Sequence, residues 1–234
     1  AAAVGAESAQ IFLGKPSGWE KPPPRDDAAE LRESELPIYV HAQYRINVCS
    51  PQNNIRYGAR KMLAQQCEAA GAIGAEALIV HPGHAEDGIE EGVKRWKRTL
   101  EMLESPVPVW LENTAGGDNA VARRVDAIEL LWEQVQAADT DVEVGFCFDT
   151  CHAHAAGEDL STAVERVLAA TGRIDLVHAN SSRDQAGTGA DRHENFDAGT
   201  LDRDAILHMV KESKAPAVIC ETPWPGIADD MEFL

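Results

Sequence analysis

Side chains able to bind metal ions stand at the ends of six apolar segments of the sequence. Each segment closes on a histidine or a carboxylate: His41, His81, Glu112, Asp149, His178 and Glu221. Three more candidates follow, since His152 stands three residues after Asp149, and both Asp191 and His193 lie in a polar stretch after His178. A carboxylate beside buried apolar residues loses its hydration unless it is paired. The repeated pattern therefore indicates one shared site in which cations balance the carboxylates.

The nine candidates comprise five imidazoles, four carboxylates and no thiol. Nitrogen and oxygen ligands of this kind suit zinc, manganese, iron or nickel, and argue against magnesium or calcium alone. Nine ligands exceed the needs of a single tetrahedral site, so the sequence predicts two or three ions. Clusters of this type activate water and hold phosphoryl oxygens, which predicts hydrolysis of a phosphate ester.

The apolar segments alternate with helical patterns, which is typical of an α/β fold. They are continuous and rich in β-branched residues, as expected for parallel strands buried on both faces. The predicted strands are Ile11–Leu13, Ile38–His41, Ala77–His81, Val107–Glu112, Val144–Asp149, Leu176–Ala179 and Val218–Glu221. The predicted helices are Tyr57–Gly71, Gly92–Leu103, Ala120–Ala138, Leu160–Thr171 and Asp202–Ser213.

The position of the polar residues favours a closed (β/α)8 barrel over an open doubly wound sheet. In such a barrel the carboxyl ends of all strands meet on one face, where active sites are built. No G-x-G-x-x-G or P-loop motif supports the open sheet, since Gly187-Thr-Gly189 lacks the third glycine. With seven visible strands, and with Ala1–Gly5 resembling the tail of a helix, we expect the first strand to be missing. We also expect the last helix to be cut at Leu234, and residues 1–234 to form one domain.

The composition is strongly acidic. The 234 residues include 21 Lys and Arg against 39 Asp and Glu, a net charge of −18. This balance argues against a protein that binds a phosphate backbone over a wide basic face. Bound ions would nevertheless dominate their own surroundings, and surface charge beyond a Debye length of about 8 Å is screened. The charge therefore does not exclude capture of a phosphate at the metal site.

The cysteines and the hydropathy point to one compartment. The five cysteines form no C-x-x-C pair, so we expect reduced thiols and a cytoplasmic protein. No apolar run approaches the roughly 18 residues of a membrane-spanning helix.

The motifs around the candidate ligands resemble those of the endonuclease IV family of apurinic/apyrimidinic (AP) endonucleases. The matching segments are His41-Ala-Gln-Tyr-Arg-Ile-Asn47, His81-Pro-Gly83, Leu111-Glu-Asn-Thr-Ala-Gly116, Asp149-Thr-Cys-His-Ala-His-Ala-Ala-Gly157, Val177-His-Ala-Asn180, Asp191-Arg-His-Glu-Asn195 and Glu221-Thr-Pro223. They follow one another in the family's order from Ile11 to the end of the chain. The resemblance implies a TIM barrel with three zinc ions, with Mn²⁺ able to replace zinc in part.

The resemblance also implies which residues hold each ion. The ligands are, ion by ion, His41, His81 and Glu112; Glu112, Asp149, His178 and Glu221; and His152, Asp191 and His193. Glu112 and Glu221 would be catalytic, Glu112 by bridging the first two ions and Glu221 by positioning the attacking water.

The activity implied by the resemblance is DNA base excision repair. The enzyme would hydrolyse the phosphodiester 5′ to an abasic site in double-stranded DNA, leaving a 3′-hydroxyl and a 5′-deoxyribose phosphate, with removal of 3′ blocking groups as a second activity. The residues implied to contact DNA are Lys15, Tyr44, Arg45 and Arg192. We expect a monomer that needs neither a protein partner nor a membrane.

Two other functions fit parts of the pattern. A sugar isomerase or epimerase would use the same type of metal-binding barrel, but usually with one or two ions. The third group, His152, Asp191 and His193, argues against that interpretation. A non-catalytic protein that binds lesions or stores metal is the second alternative. This alternative is supported by the loop Lys15-Pro16-Ser17, which stands where the family usually has Asn-Pro-Arg.

Overall fold

The computed structural model describes residues 4–234, which build a parallel sheet surrounded by helices. The strands of this sheet are β1 (Ala9–Ile11), β2 (Ile38–His41), β3 (Ala77–Val80), β4 (Val109–Glu112), β5 (Val144–Asp149), β6 (Leu176–His178) and β9 (Val218–Ile219). Within the described residues these seven strands pair in parallel, in the order β1-β2-β3-β4-β5-β6-β9. Two further strands, β7 (Ser181–Ser182) and β8 (His193–Glu194), form a separate antiparallel pair.

Helices connect the strands, as parallel pairing requires. Their bounds are α1 (Ala28–Arg32), α2 (Asn53–Ala72), α3 (Ile89–Leu100), α4 (Val125–Gln136), α5 (Thr150–Ala156), α6 (Ala163–Thr171), α7 (Arg203–Ser213) and α8 (Ile227–Phe233). The sheet curls into a nearly closed barrel, so that the side chain of Gln10 on β1 reaches Glu221 beyond β9 at 2.7 Å.

The apolar core has two parts. The larger part fills the space between the sheet and the helices, and includes Val40, Leu63, Trp96 and Leu131. The smaller part lies inside the barrel and is called the floor below. It consists of Tyr39, Ala77, Ile79, Trp110, Cys147, Leu176 and Ile219. Gly145 leaves room for this packing, because a Cβ at that position would collide with the indole ring of Trp110.

The seven predicted strands are confirmed, with β1 two residues earlier than predicted. The apolar run Ile11-Phe12-Leu13 continues past the strand, because Leu13 is buried in the following loop and Phe12 contacts the ring of His41. Helix α4 begins at Val125 rather than Ala120, since residues 120–123 form a turn.

The ends of the chain bear on two other expectations. The helix tail predicted at Ala1–Gly5 falls mostly on residues 1–3, which lie outside the described residues. The last helix, which we expected to be cut at Leu234, is described as the seven-residue α8, Ile227–Phe233. Among residues 4–234, no helix is both long and apolar enough to cross a membrane.

Candidate metal centre

Six of the nine candidate ligands sit at or just after the carboxyl ends of strands in the sheet. Four end their strands and two follow within two residues: His41, Glu112, Asp149 and His178, then His81 and Glu221. Because the strands are parallel, these ends share one face of the barrel. They surround a cavity of about 270 Å³, with Asp149 and His178 fully buried beside it. The remaining candidates, His152, Asp191 and His193, approach the same cavity from α5, the loop before β8 and the start of β8.

The first group joins β2, β3 and β4. His41 Nε2 lies 3.1 Å from Glu112 Oε2, and His81 Nε2 lies 3.3 Å from the same oxygen. Glu112 is completely buried. One carboxylate oxygen thus faces two imidazole nitrogens.

The second group joins β4, β5, β6 and the end of β9. His178 Nδ1 lies 3.0 Å from Glu112 Oε1, 3.3 Å from Glu221 Oε2 and 3.8 Å from Asp149 Oδ2. Three carboxylates therefore face a single ring nitrogen. Glu112 belongs to both groups through its two oxygens, as a bridging carboxylate would.

The third group lies at the outer side of the cavity. His152 Nε2 and His193 Nε2 lie 3.1 and 3.3 Å from Asp191 Oδ1. Both ring nitrogens are buried, yet among the described residues neither has a hydrogen-bond partner of suitable geometry. Buried ring nitrogens without a hydrogen-bond partner, facing a common carboxylate, fit a group of metal ligands.

These distances test whether the residues fit metal ions. Ligands about 2.0–2.1 Å from a tetrahedral zinc ion stand about 3.3 Å from one another. The closest pairs of all three groups have this spacing, from 3.0 to 3.3 Å. In each group one ligand atom per residue lies within 4.8 Å of all the others. The donor set and its spacing therefore fit three ions.

Amide side chains hold the ligands in place. Asn113 Oδ1 accepts a hydrogen bond from the Asp149 amide at 2.7 Å, and Asn180 Nδ2 donates to Asp149 Oδ2 at 2.7 Å. The Asn180 Oδ1 atom also accepts from the Glu221 amide at 2.8 Å. Asp149 caps α5, because its Oδ1 accepts from the His152 amide at 2.7 Å. This cap explains the three-residue spacing, since it places the His152 ring beside the cavity.

The charges of the site are strongly coupled. Burial alone would raise the pKa of Glu112, but His178 and His81 outweigh burial and hold it well below its usual range. Burial also opposes the charged form of His152, yet Asp149 and Asp191 raise its pKa well above the usual value. Each carboxylate thus requires a positive neighbour, which a proton on histidine or a metal ion can supply.

Two thiols lie close to the ligand groups. Cys147 comes within reach of Glu112 and His178, and Cys151 within reach of Asp149 and His193. Burial raises the pKa of both thiols to about 12. Each of the three groups already has at least three imidazole or carboxylate ligands without a thiol, so we assign neither cysteine a ligand role.

A groove of about 850 Å³ opens beside the metal cavity. Its lining includes Trp19, Tyr44, Arg45, Ile55, His81 and Asp191. Tyr44 is 50% exposed and packs against the His81 ring at 5.6 Å, while Trp19 is 43% exposed. Both aromatic rings thus border the groove, and Tyr44 also lines the metal cavity, where a substrate would enter.

Two of the four residues predicted to contact DNA belong to this groove and two do not. Tyr44 and Arg45 line the groove, whereas Lys15 and Arg192 are not among the described residues that line it. Arg192 forms a two-point ion pair with Asp184, and Lys15 uses its carbonyl to hold Gln43. Their side chains are exposed, and contact with DNA stays a prediction for all four.

One residue of the site was missed at the level of sequence. Gln10 of β1 bonds both Glu221 and His178, at 2.7 and 2.8 Å. The available signal was the single amide Gln10 inside the apolar segment Ala9-Gln-Ile-Phe. Unlike the predicted ligands, Gln10 does not lie at the end of a strand. A polar side chain inside an apolar segment needs a hydrogen-bond partner, and this rule could have singled out Gln10.

The fold and the site define a class of protein. Residues 1–234 match the family model described as xylose isomerase-like TIM barrel. The crystal structure of a D-tagatose 3-epimerase-like protein superposes with a TM-score of 0.75 and 19% identity, covering 97% of this chain and 85% of that one. At this identity the likeness shows the barrel fold alone.

Closer relatives narrow the class. The probable endonuclease 4 of Mycobacterium tuberculosis (strain ATCC 25177 / H37Ra) is 54% identical over 236 residues, which cover 100% of this chain and 92% of that protein. The crystal structure of endonuclease IV from Thermus thermophilus superposes with a TM-score of 0.81 and 27% identity, covering 99% of this chain and 90% of that one. The chain therefore belongs to the endonuclease IV family of xylose isomerase-like TIM barrels.

Proposed function

We propose that the protein is an AP endonuclease that hydrolyses the phosphodiester 5′ to abasic sites in double-stranded DNA. The products would be a 3′-hydroxyl and a 5′-deoxyribose phosphate, and trimming of blocked 3′ ends would be a second activity of the same site. The observation that carries this proposal is the third group of candidate ligands. His152, Asp191 and His193 stand beside two other groups and share one spacing with them.

Three zinc ions are proposed as the cofactor, held by the three groups in the order predicted from the sequence, with Mn²⁺ as a partial substitute. When bound, such ions lower the pKa of water and stabilise negative charge on phosphoryl oxygens. They would also make the site positive, which accounts for capture of a phosphate by a protein of net charge −18.

The side chains around the cavity would then perform the remaining tasks. Glu221 lines the cavity and would orient the attacking water by accepting its hydrogen bond. Glu112 would hold two groups in register through its two oxygens. The Tyr44 and Trp19 rings would pack against the nucleotides around the lesion, and Arg45 would contact a phosphate. An abasic nucleotide has no base to unstack, which favours its entry into the pocket.

The epimerase alternative rests on the fold alone, a barrel that is shared with a D-tagatose 3-epimerase-like protein. One or two ions suffice for that chemistry, so it leaves the third group without a purpose. Metal stoichiometry separates the two functions, since three equivalents per chain support the nuclease and one or two the epimerase.

The test is incision of a duplex oligonucleotide that carries one abasic site, with the undamaged duplex as control. The protein is assayed as purified, after brief EDTA treatment, after prolonged removal of metal with a stronger chelator, and after zinc is restored. We expect cleavage 5′ to the lesion alone, lost on prolonged chelation and regained with zinc. Absence of incision by folded, metal-loaded protein would overturn the proposal.

A further inference from the structure

We propose that Gln10 is a positioning residue that fixes the orientation of two candidate ligands, His178 and Glu221, at the same time. The inference rests on the proposed metal site and adds a residue that is not itself a ligand. Its basis is a continuous chain of hydrogen bonds that runs from the His178 ring through the Gln10 amide to the Glu221 carboxylate.

The first bond sets the tautomer of His178. Its Nδ1 atom faces the carboxylates of the second group, with Glu112 Oε1 at 3.0 Å. An Nδ1 that binds metal must carry a lone pair, so the proton of the neutral ring belongs on Nε2. Gln10 Oε1 lies 2.8 Å from Nε2 and accepts that hydrogen bond. The side-chain carbonyl of Gln10 therefore holds the ring in the form that binds metal.

The second bond follows from the first. Once the Gln10 oxygen faces His178, its amide nitrogen must point the other way. There it donates to Glu221 Oε1 at 2.7 Å, while Glu221 Oε2 lies 3.3 Å from His178 Nδ1. One carboxylate oxygen is thereby engaged by an amide hydrogen, and the other is directed to the metal group. The amide has no second orientation that satisfies both neighbours. In a flipped amide the Gln10 nitrogen would face the donor His178 Nε2, and the Gln10 oxygen would face the acceptor Glu221 Oε1.

Other amides cannot replace this role. Asn180 holds mainly the main chain of Glu221, whose amide donates to Asn180 Oδ1 at 2.8 Å, and its Nδ2 lies 3.4 Å from the carboxylate oxygen Oε2. Among the described residues, His178 Nε2 bonds Gln10 and no other side chain. Partners of this kind typically contribute about 10–100-fold to metal affinity or activity.

Two variants separate the two bonds. Gln10→Met keeps the shape and removes both bonds. Gln10→Glu keeps an acceptor for His178 but sets a second carboxylate against Glu221. Thr171→Val is the matched control, because it removes a buried hydroxyl at the end of α6 that donates to the Val167 carbonyl at 2.8 Å, away from the cavity.

Two quantities are measured for each variant. One is the metal retained per chain during timed dialysis against a chelator, determined by elemental analysis. The other is kcat and KM for incision of the abasic duplex. For Gln10→Met we expect loss of one metal equivalent about 10–100-fold faster and a kcat about 10–100-fold lower, with KM within about threefold. For Gln10→Glu we expect metal retention near wild type with the lower kcat, and for Thr171→Val a lower Tm with neither change.

Several results would overturn the inference. A purely structural role for Gln10 predicts a lower Tm for Gln10→Met with wild-type metal retention and kcat, so that outcome contradicts positioning. If Gln10→Met does not fold, Gln10→Glu decides, and wild-type kcat in that variant has the same meaning. If the wild-type chain retains three equivalents but leaves abasic DNA intact, the proposed function is wrong, and the metal measurement alone decides the role of Gln10.

Discussion

The interior of the barrel has two levels that differ in chemistry and lie two residues apart on the same strands. An apolar floor residue precedes a candidate ligand by two positions on six strands. The pairs are Tyr39 and His41, Ile79 and His81, Trp110 and Glu112, Cys147 and Asp149, Leu176 and His178, and Ile219 and Glu221. Because side chains alternate along a strand, both members of each pair face inward. The floor residues pack against one another, whereas the upper level consists of histidines and carboxylates.

The difference between the two levels predicts that most of the stability and most of the chemistry depend on different residues of this barrel. The floor excludes water and fixes the strands, so substitutions there should change the free energy of unfolding. The upper level places carboxylates and imidazoles against one another, so substitutions there should change metal binding and activity. Five predictions test this division, beginning with the largest expected effect.

Glu221→Gln should abolish incision with the fold intact. The change keeps the size of the side chain and removes the charge that we propose orients the water and joins the second group. We expect kcat to fall by about 10⁴-fold, or about 5.4 kcal/mol. Incision kinetics and a thermal melt measure the two effects. Glu143→Gln, on the exposed partner of Arg173, is the control, and wild-type rates in Glu221→Gln would refute its role.

Trp110→Ala should have the opposite signature. The indole is 8% exposed and its removal from the floor should cost about 3–5 kcal/mol in the free energy of unfolding. Trp110→Phe should cost less than about 1.5 kcal/mol, because Trp110 Nε1 is buried without a hydrogen-bond partner among the described residues. Denaturant titration gives both values. A folded Trp110→Ala that loses metal would show that the two levels are not separable.

Asp191→Ala should remove about one metal equivalent while the other two groups stay loaded. The carboxylate is the common neighbour of His152 and His193, whose Nε2 atoms are buried without a hydrogen-bond partner among the described residues. Elemental analysis after gel filtration measures the loss. Asp126→Ala, whose carboxylate is 89% exposed and pairs with Arg166, should keep all equivalents. Unchanged metal content in Asp191→Ala would argue against the third group.

Metal binding should weaken as the pH falls. In the absence of metal, the pKa values of His152, His178 and His193 are raised: burial opposes this, but neighbouring groups outweigh it, the carboxylates in all three cases and Cys147 at His178. Protons therefore compete with metal from above the ordinary histidine pKa of about 6.5. Competition with a chromophoric chelator between about pH 5.5 and 8.5 measures the trend, and affinity that is flat over this range would contradict it.

The stability of the metal-free chain should have the reverse dependence. A raised histidine pKa means that the folded state binds more protons than the unfolded state above about pH 6.5. The contribution of these histidines to the free energy of unfolding is complete below that pH. It is lost as the pH rises through the pKa values of the folded state. Thermal melts of metal-free and metal-loaded protein across this range should diverge, and parallel curves would argue against the coupling.

The upper level, which holds the candidate ligands, was the part most open to prediction from sequence. A buried strand that closes on His, Asp or Glu is an unusual pattern, and its repetition identified six strand ends without any structure. The floor was not predicted as a unit, because Tyr39 and Trp110 follow ordinary strand patterns and only curvature of the sheet brings them together. Gln10 was missed for the same reason, since its two partners lie 168 and 211 residues away.

Local structure explains the other differences. Helix α5 was not predicted, because its seven residues are too few for a periodic pattern and its start depends on the Asp149 cap. Helix α1, with five residues, falls below the same limit. Loop contacts were the least predictable: the sequence did not indicate that Arg192 pairs with Asp184, and its contact with DNA stays a prediction.

The two-residue spacing between floor and ligand has a consequence for how such a chain can change length. Deleting or inserting one residue between Tyr39 and His41 would turn the imidazole outward, toward the helices, and bring an apolar side chain into the cavity. The same holds for the other five strands. Changes of length in the loops beyond the ligands leave this spacing intact, so they can alter what enters the site while the distances inside it stay fixed.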